Sequence, residues 1–167
     1  MEVESMEELK MGYRLATVIG IAMIASLFVY VAVVELIKKN SVPFRGFAPF
    51  PETDVLRYVF LGVAVACFFL IRFIKDLVLS RKTTIGVEPH KKRAFSAHIQ
   101  KLLSTSIITY ALCESVAIYG LVLFLIGGRS SDFYIFLVIS LIFFIVYFPR
   151  YNQWEEWIKK QVMGSET

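Results

Sequence analysis

From Leu15 to Val34 the chain carries no charged residue. A helix needs about 20 such residues, at 1.5 Å each, to cross the roughly 30 Å hydrocarbon core of a bilayer. This run constrains the fold more than any other feature. In lipid every backbone amide and carbonyl must be satisfied within the protein, which leaves only helices and closed barrels. Nothing in the pattern suggests a barrel, and the run continues to about Ile37, broken only by Glu35.

Three further apolar runs follow. The second is centred on residues 58–71 and bracketed by Arg57 and Arg72. Its uncharged core is shorter than a full span, so both arginines are expected to lie within the span and snorkel outward. The third runs from about Leu103 to Gly128, and the fourth from Phe133 to Phe148, where Pro149 stops or kinks the helix. Composition agrees: 57% of residues are hydrophobic and the mean hydropathy is +0.64, too apolar for a soluble domain of this size. The expectation is an all-α integral membrane protein with four transmembrane helices. Its parts are an N-terminal segment (1–14), a first helix pair (15–79), a basic loop (80–102), a second pair (103–149) and a C-terminal tail (150–167). The acidic start, MEVESMEELK, is unlike the basic start of a signal peptide, so the first run is read as retained. Cys67 and Cys113 lie inside apolar runs, show no disulfide framework or metal spacing, and read as packing residues.

Lys/Arg bias sets orientation. The stretch from Arg72 to Lys101 is rich in both residues, whereas GGRSSD after the third run holds only Arg129. The first loop, with Lys38, Lys39 and Arg45, pulls weakly the other way. The balance places both termini and the basic loop in the cytoplasm, in a cytoplasmic (inner) membrane. The basic loop sets topology, and it also suits contact with anionic headgroups. Phe44, Phe47 and Phe50 alternate with Pro43, Pro49 and Pro51, which predicts an extended loop on the outer surface. In the tail, Tyr151, Trp154 and Ile158 fall at helical spacing, which predicts a short amphipathic helix at the interface.

The third run echoes the first at an offset of about 90 residues. Ile19, Ala22, Ser26, Tyr30, Val33, Leu36 and Ile37 align with Ile108, Ala111, Ser115, Tyr119, Val122, Leu125 and Ile126. The second and fourth runs align as well, compatible with tandem duplication of a two-helix unit. In that alignment Glu114 falls opposite Ala25, so only the second copy carries a carboxylate.

Glu114 is the feature that asks for a function. It sits near mid-membrane, where an ionised carboxylate costs roughly 3 kcal/mol or more. It survives either protonated or paired with a cation. Arg72 is the candidate ion-pair partner, and Tyr110, one helical turn away, is a candidate hydrogen-bond partner. Ser106, Thr109, Cys113, Ala117 and Gly120 form a small-residue stripe where another helix can approach closely.

The stretch ESVAIYGLVLFLI, beginning at Glu114, resembles the carboxylate-bearing helix of ATP synthase subunit c, the proteolipid of rotary ATP synthases. Glu114, Ile118, Tyr119, Gly120, Leu121 and Val122 carry the likeness, which covers residues 108–126. The resemblance implies that Glu114 takes up and releases a proton. The family's glycine-rich first helix has no match here, where Gly62, Ala64, Ala66, Phe68 and Phe69 occupy the preceding run.

Two functions follow. One is a proteolipid-like multi-pass protein whose Glu114, with Tyr110, binds a proton or cation, within a homo-oligomer or a membrane complex. The other is a small structural or accessory protein in which Glu114 and Arg72 form a buried pair. An enzyme finds little support, because the spans offer few convergent polar groups. His90 and His98 lack metal-ligand spacing, no cofactor motif is present, and the basic loop lacks the aromatic interleaving of a nucleic-acid site. The lipid bilayer is the one partner the sequence names.

Overall fold

The computed structural model describes residues 2–41, 44–47, 53–80 and 97–163. The basic stretch between residues 81 and 96, Pro43 and residues 48–52 lie outside the described residues, and so does what the sequence suggests for them. The described chain is all helical: α1 (Glu2–Asn40), α2 (Thr53–Ser80), α3 (Ala97–Gly127), α4 (Ser130–Tyr147) and α5 (Tyr151–Met163). The first four are long and apolar enough to cross a membrane, over Met6–Asn40, Asp54–Leu77, Ile99–Gly127 and Ser130–Tyr147. This is the architecture of a multi-pass membrane protein.

Helix α3 is the hub. It packs against α4, α1 and α2, whereas α1 and α2 barely touch each other. The first helix pair is therefore not a packed hairpin; each of its members leans on α3 separately. Burial follows that order. Helix α2 buries Ala64, Cys67 and Ile71, one narrow stripe, and exposes Tyr58, Phe69 and Phe73. An exposed apolar face is what a lipid-facing helix presents.

Small residues set the closest approaches. A Cβ on Gly120 would lie 2.6 Å from the Cβ of Phe136, so α3 and α4 meet backbone to backbone there. The stripe residues Thr109, Cys113 and Ala117 are buried along the same helix, and Ser140 of α4 donates to the Cys113 carbonyl at 2.7 Å. Helix α1 carries a second stripe, Gly12, Ala16 and Gly20, at four-residue spacing. A Cβ on Gly12 would lie 2.5 Å from Ile99, and one on Gly20 2.9 Å from the ring of Tyr110. Without a hydrophobic drive between helices in lipid, such close approaches supply much of the attraction.

At the turn end, Gly128 adopts φ +69° and donates to the Phe124 carbonyl at 2.8 Å, an αL cap on α3. Phe47 donates to the adjacent Leu125 carbonyl at 2.8 Å, satisfying another orphan acceptor. Residues 44–47 are therefore held against the end of α3. Phe44 packs at a tilt against Phe124, and Gly46, at φ +88°, passes so close to the end of α3 that no Cβ fits. Two ion pairs tie α2 to the start of α4: Arg129 with Asp54 at 2.5 Å, and Arg57 with the buried Asp132 at 3.3 Å. Arg57 thus has a carboxylate partner.

At the other end, α4 stops at Tyr147. Phe148 is held at ψ 131° by the proline that follows, which excludes the helical region for the residue before it. A second cluster gathers Leu9, Ala16, Ile99, Leu102 and Trp154, with Tyr13, Tyr151 and Ile158 packed against it. Helix α5 therefore docks on the N-terminal turns of α1 and α3. The N-terminal turns of α1 and helix α5 share one end of the bundle.

Candidate functional site

Glu114 lies near the middle of α3, about 20 Å by helix rise from its turn end. It is half-buried and faces α1. The faces explain this. Cys113 and Ala117 are buried, the Cys113 carbonyl accepts from Ser140 of α4, and Glu114, one position round the helix, meets α1.

Two hydroxyls of α1 converge on the same carboxyl oxygen. Ser26 Oγ lies 2.5 Å from Glu114 Oε1, and Tyr30 OH donates to the same oxygen at 2.7 Å. Ser26 and Tyr30 are one helical turn apart, so their side chains project from one face. Ser26 Oγ also lies 2.6 Å from the Met23 carbonyl oxygen of its own helix. Four oxygens thus form a line: Tyr30 OH, Glu114 Oε1, Ser26 Oγ and Met23 O.

The sequence-derived candidates take different places. Arg72 is exposed on α2, and among the described residues no ion pair joins it to Glu114. Helix α2 does pack on α3, but through Ala64, Cys67 and Ile71, which leaves Arg72 one step round the helix from that stripe, exposed. The neighbouring cation Lys75 turns inward instead. It donates to the Tyr147 carbonyl at 3.2 Å and lies over the Tyr147 ring, capping the end of α4.

Tyr110 is also apart from the carboxyl group. Its ring stacks on Phe144 and packs against Phe148 and Gly20, and its buried hydroxyl has no hydrogen-bond partner among the described residues. It belongs to the α1–α3–α4 core.

Ser26 and Tyr30 were visible in the sequence only as members of the internal echo. The available signal was their four-residue spacing inside an uncharged run, where Thr17 is the other polar side chain carrying a hydroxyl. Comparison with family models, curated proteins and solved structures returns no match for this chain.

Proposed function

We propose that this multi-pass protein holds a proton on Glu114 within the membrane, in a site completed by Ser26 and Tyr30. The observation that carries the reading is a proton count. The line from Tyr30 through Glu114 and Ser26 to the Met23 carbonyl contains three oxygen–oxygen contacts of 2.7, 2.5 and 2.6 Å. Each needs one hydrogen. Tyr30 and Ser26 each supply one. A carboxyl proton on Glu114 supplies the third: Tyr30 donates to Oε1, Oε1–H donates to Ser26, and Ser26 donates to Met23. With Glu114 ionised, Ser26 has one hydrogen for two acceptors, and one short contact is left between lone pairs.

The likeness of residues 108–126 to the proteolipid helix assigns the same role to Glu114. By the Lys/Arg bias, the end carrying α5 and the N-terminus faces the cytoplasm. The reading is non-enzymatic and needs no cofactor.

A second reading rests on a specific observation: both hydroxyls belong to α1, so the bonds also cross-link two spans. In that reading Glu114 is a structural clamp. Labelling with a hydrophobic carbodiimide across a pH series, mapped by mass spectrometry, separates the two, because the reagent attacks a protonated carboxyl group in an apolar site. Modification of Glu114 that fades as pH rises supports proton binding. Absence of modification at every pH, in protein that still melts cooperatively, leaves the clamp.

A further inference from the structure

Helices α2 and α4 both lean on α3 and leave a groove between them, open toward lipid. It has a volume of about 250 Å³, and its lining is apolar: Leu61, Val65, Phe68 and Phe69 from α2, Ile139 and Phe143 from α4, over a floor at Ala64. Different contacts flank its two ends. Toward the α3–α4 turn lie the two ion pairs, Arg57 with Asp132 and Arg129 with Asp54. Toward the α5 end, Phe68 packs on Phe143 and Tyr147, and Tyr147 OH donates to the Phe68 carbonyl at 3.2 Å.

Beyond Phe68, the same face of α2 carries two cations. Leu61, Val65, Phe68, Arg72 and Lys75 recur at three- and four-residue spacing, so they share one face of the helix. Arg72 is exposed, and no carboxylate pairs with it among the described residues. Lys75 uses one donor on the Tyr147 carbonyl and has three in all. From Leu61 to Arg72 the helix rises about 16 Å, close to half of the roughly 30 Å hydrocarbon core. The stripe therefore has the length of one leaflet, with positive charge at its headgroup end.

We propose that this groove is a binding site for an anionic phospholipid of the leaflet at the α5 end, with an acyl chain between α2 and α4 and its phosphate on Arg72 and Lys75. Charge complementarity selects the occupant. Bulk lipid would fill the apolar part equally well, but a guanidinium beside an ammonium favours a headgroup with net negative charge, and Arg72 supplies paired donors that match phosphate oxygens. The site is separate from Glu114, which faces α1.

The test is native mass spectrometry of the full chain released from bilayers of phosphatidylcholine with a minor fraction of phosphatidylglycerol. Wild type is expected to retain phosphatidylglycerol in preference to its share of the bilayer. Arg72→Gln should lower that preference roughly fivefold, equivalent to about 1 kcal/mol for one basic residue near the surface. Val65→Trp, at an exposed lining position, should reduce retention of either lipid in the groove. Retention of the two lipids by wild type in proportion to their shares of the bilayer overturns the proposal, and so does an unchanged preference in Arg72→Gln. Arg72 is an exposed residue, so that variant stays informative if Val65→Trp fails to fold.

Discussion

At Glu114 a single carboxyl oxygen serves two hydroxyls of another helix. Hydrogen bonds between transmembrane helices average about 0.6 kcal/mol and reach about 1.7 kcal/mol. A double-mutant cycle of Tyr30→Phe and Glu114→Gln, read by unfolding in mixed micelles, should give a coupling in that range. A strictly additive pair would place Tyr30 outside the site. The same cycle with Arg72→Gln in place of Tyr30→Phe should be additive, because no ion pair joins Arg72 to Glu114. Tyr110 makes the opposite case. Its buried hydroxyl has no partner among the described residues, and an unsatisfied buried polar group costs about 1–3 kcal/mol. Tyr110→Phe keeps the ring stacked on Phe144 and removes that cost, so the variant should melt at the wild-type temperature or above. A clear loss of stability would show that the hydroxyl has a hydrogen-bonding role. The sequence exposed Glu114 through its isolation among apolar residues, but it could not expose the partners. Partner choice turns on which face of each helix meets α3, and a rotation of about 100° per residue separates Ile71, which is buried, from Arg72, which is not.

The elements themselves were legible, because span length and uninterrupted apolarity are properties of the chain alone. Their pairing was less so. A stripe of small residues was readable on α3, whereas the matching stripe on α1, Gly12, Ala16 and Gly20, emerges only once α3 is seen against it. Gly20→Leu should separate α1 from α3 at Tyr110. Overpacking of a filled interface costs about 1–3 kcal/mol, and the site at Ser26 lies less than two turns further along. The variant should therefore lose carbodiimide labelling of Glu114 together with stability. The first loop shows the other limit of sequence reading. Prolines and phenylalanines predicted an extended surface segment, but not that Phe47 would satisfy the Leu125 carbonyl or that Gly46 would run against the end of α3. Gly46→Ala adds a Cβ at 1.9 Å from the Ile126 carbonyl oxygen and imposes a side chain at φ +88°. It should destabilise more than a typical surface substitution of about 0.5 kcal/mol, measured against Arg45→Ala, its exposed neighbour in the same loop.

On the scale of the whole molecule, contacts at both ends hold a bundle with its larger core between them. The turn end is tied by the cap at Gly128 and by the pairs to α2. The other end is tied by α5. The sequence assigned Tyr151, Trp154 and Ile158 to the membrane interface on the strength of an amphipathic period. Period alone does not say whether an apolar face meets lipid or protein. Here it meets protein: Tyr13 packs edge-on against both Tyr151 and Trp154, and Trp154 is 5% exposed among Leu9, Ile99 and Leu102. The two arrangements differ in what a truncation does. A helix resting on lipid is lost without consequence for the spans. A helix docked on α1 and α3 takes with it the cover over Leu9 and Ile99. Trp154→Ala should therefore cost about 3 kcal/mol or more, as for a buried aromatic residue, and should open the connection near Arg150 to protease in micelles. It should also leave carbodiimide labelling of Glu114 unchanged, because the two packed clusters are separate and the carboxyl group lies several turns of α3 away from Ile99. Loss of labelling in that variant would instead make α5 a clamp on the whole α1–α3 seam, and the proton site would then depend on the tail.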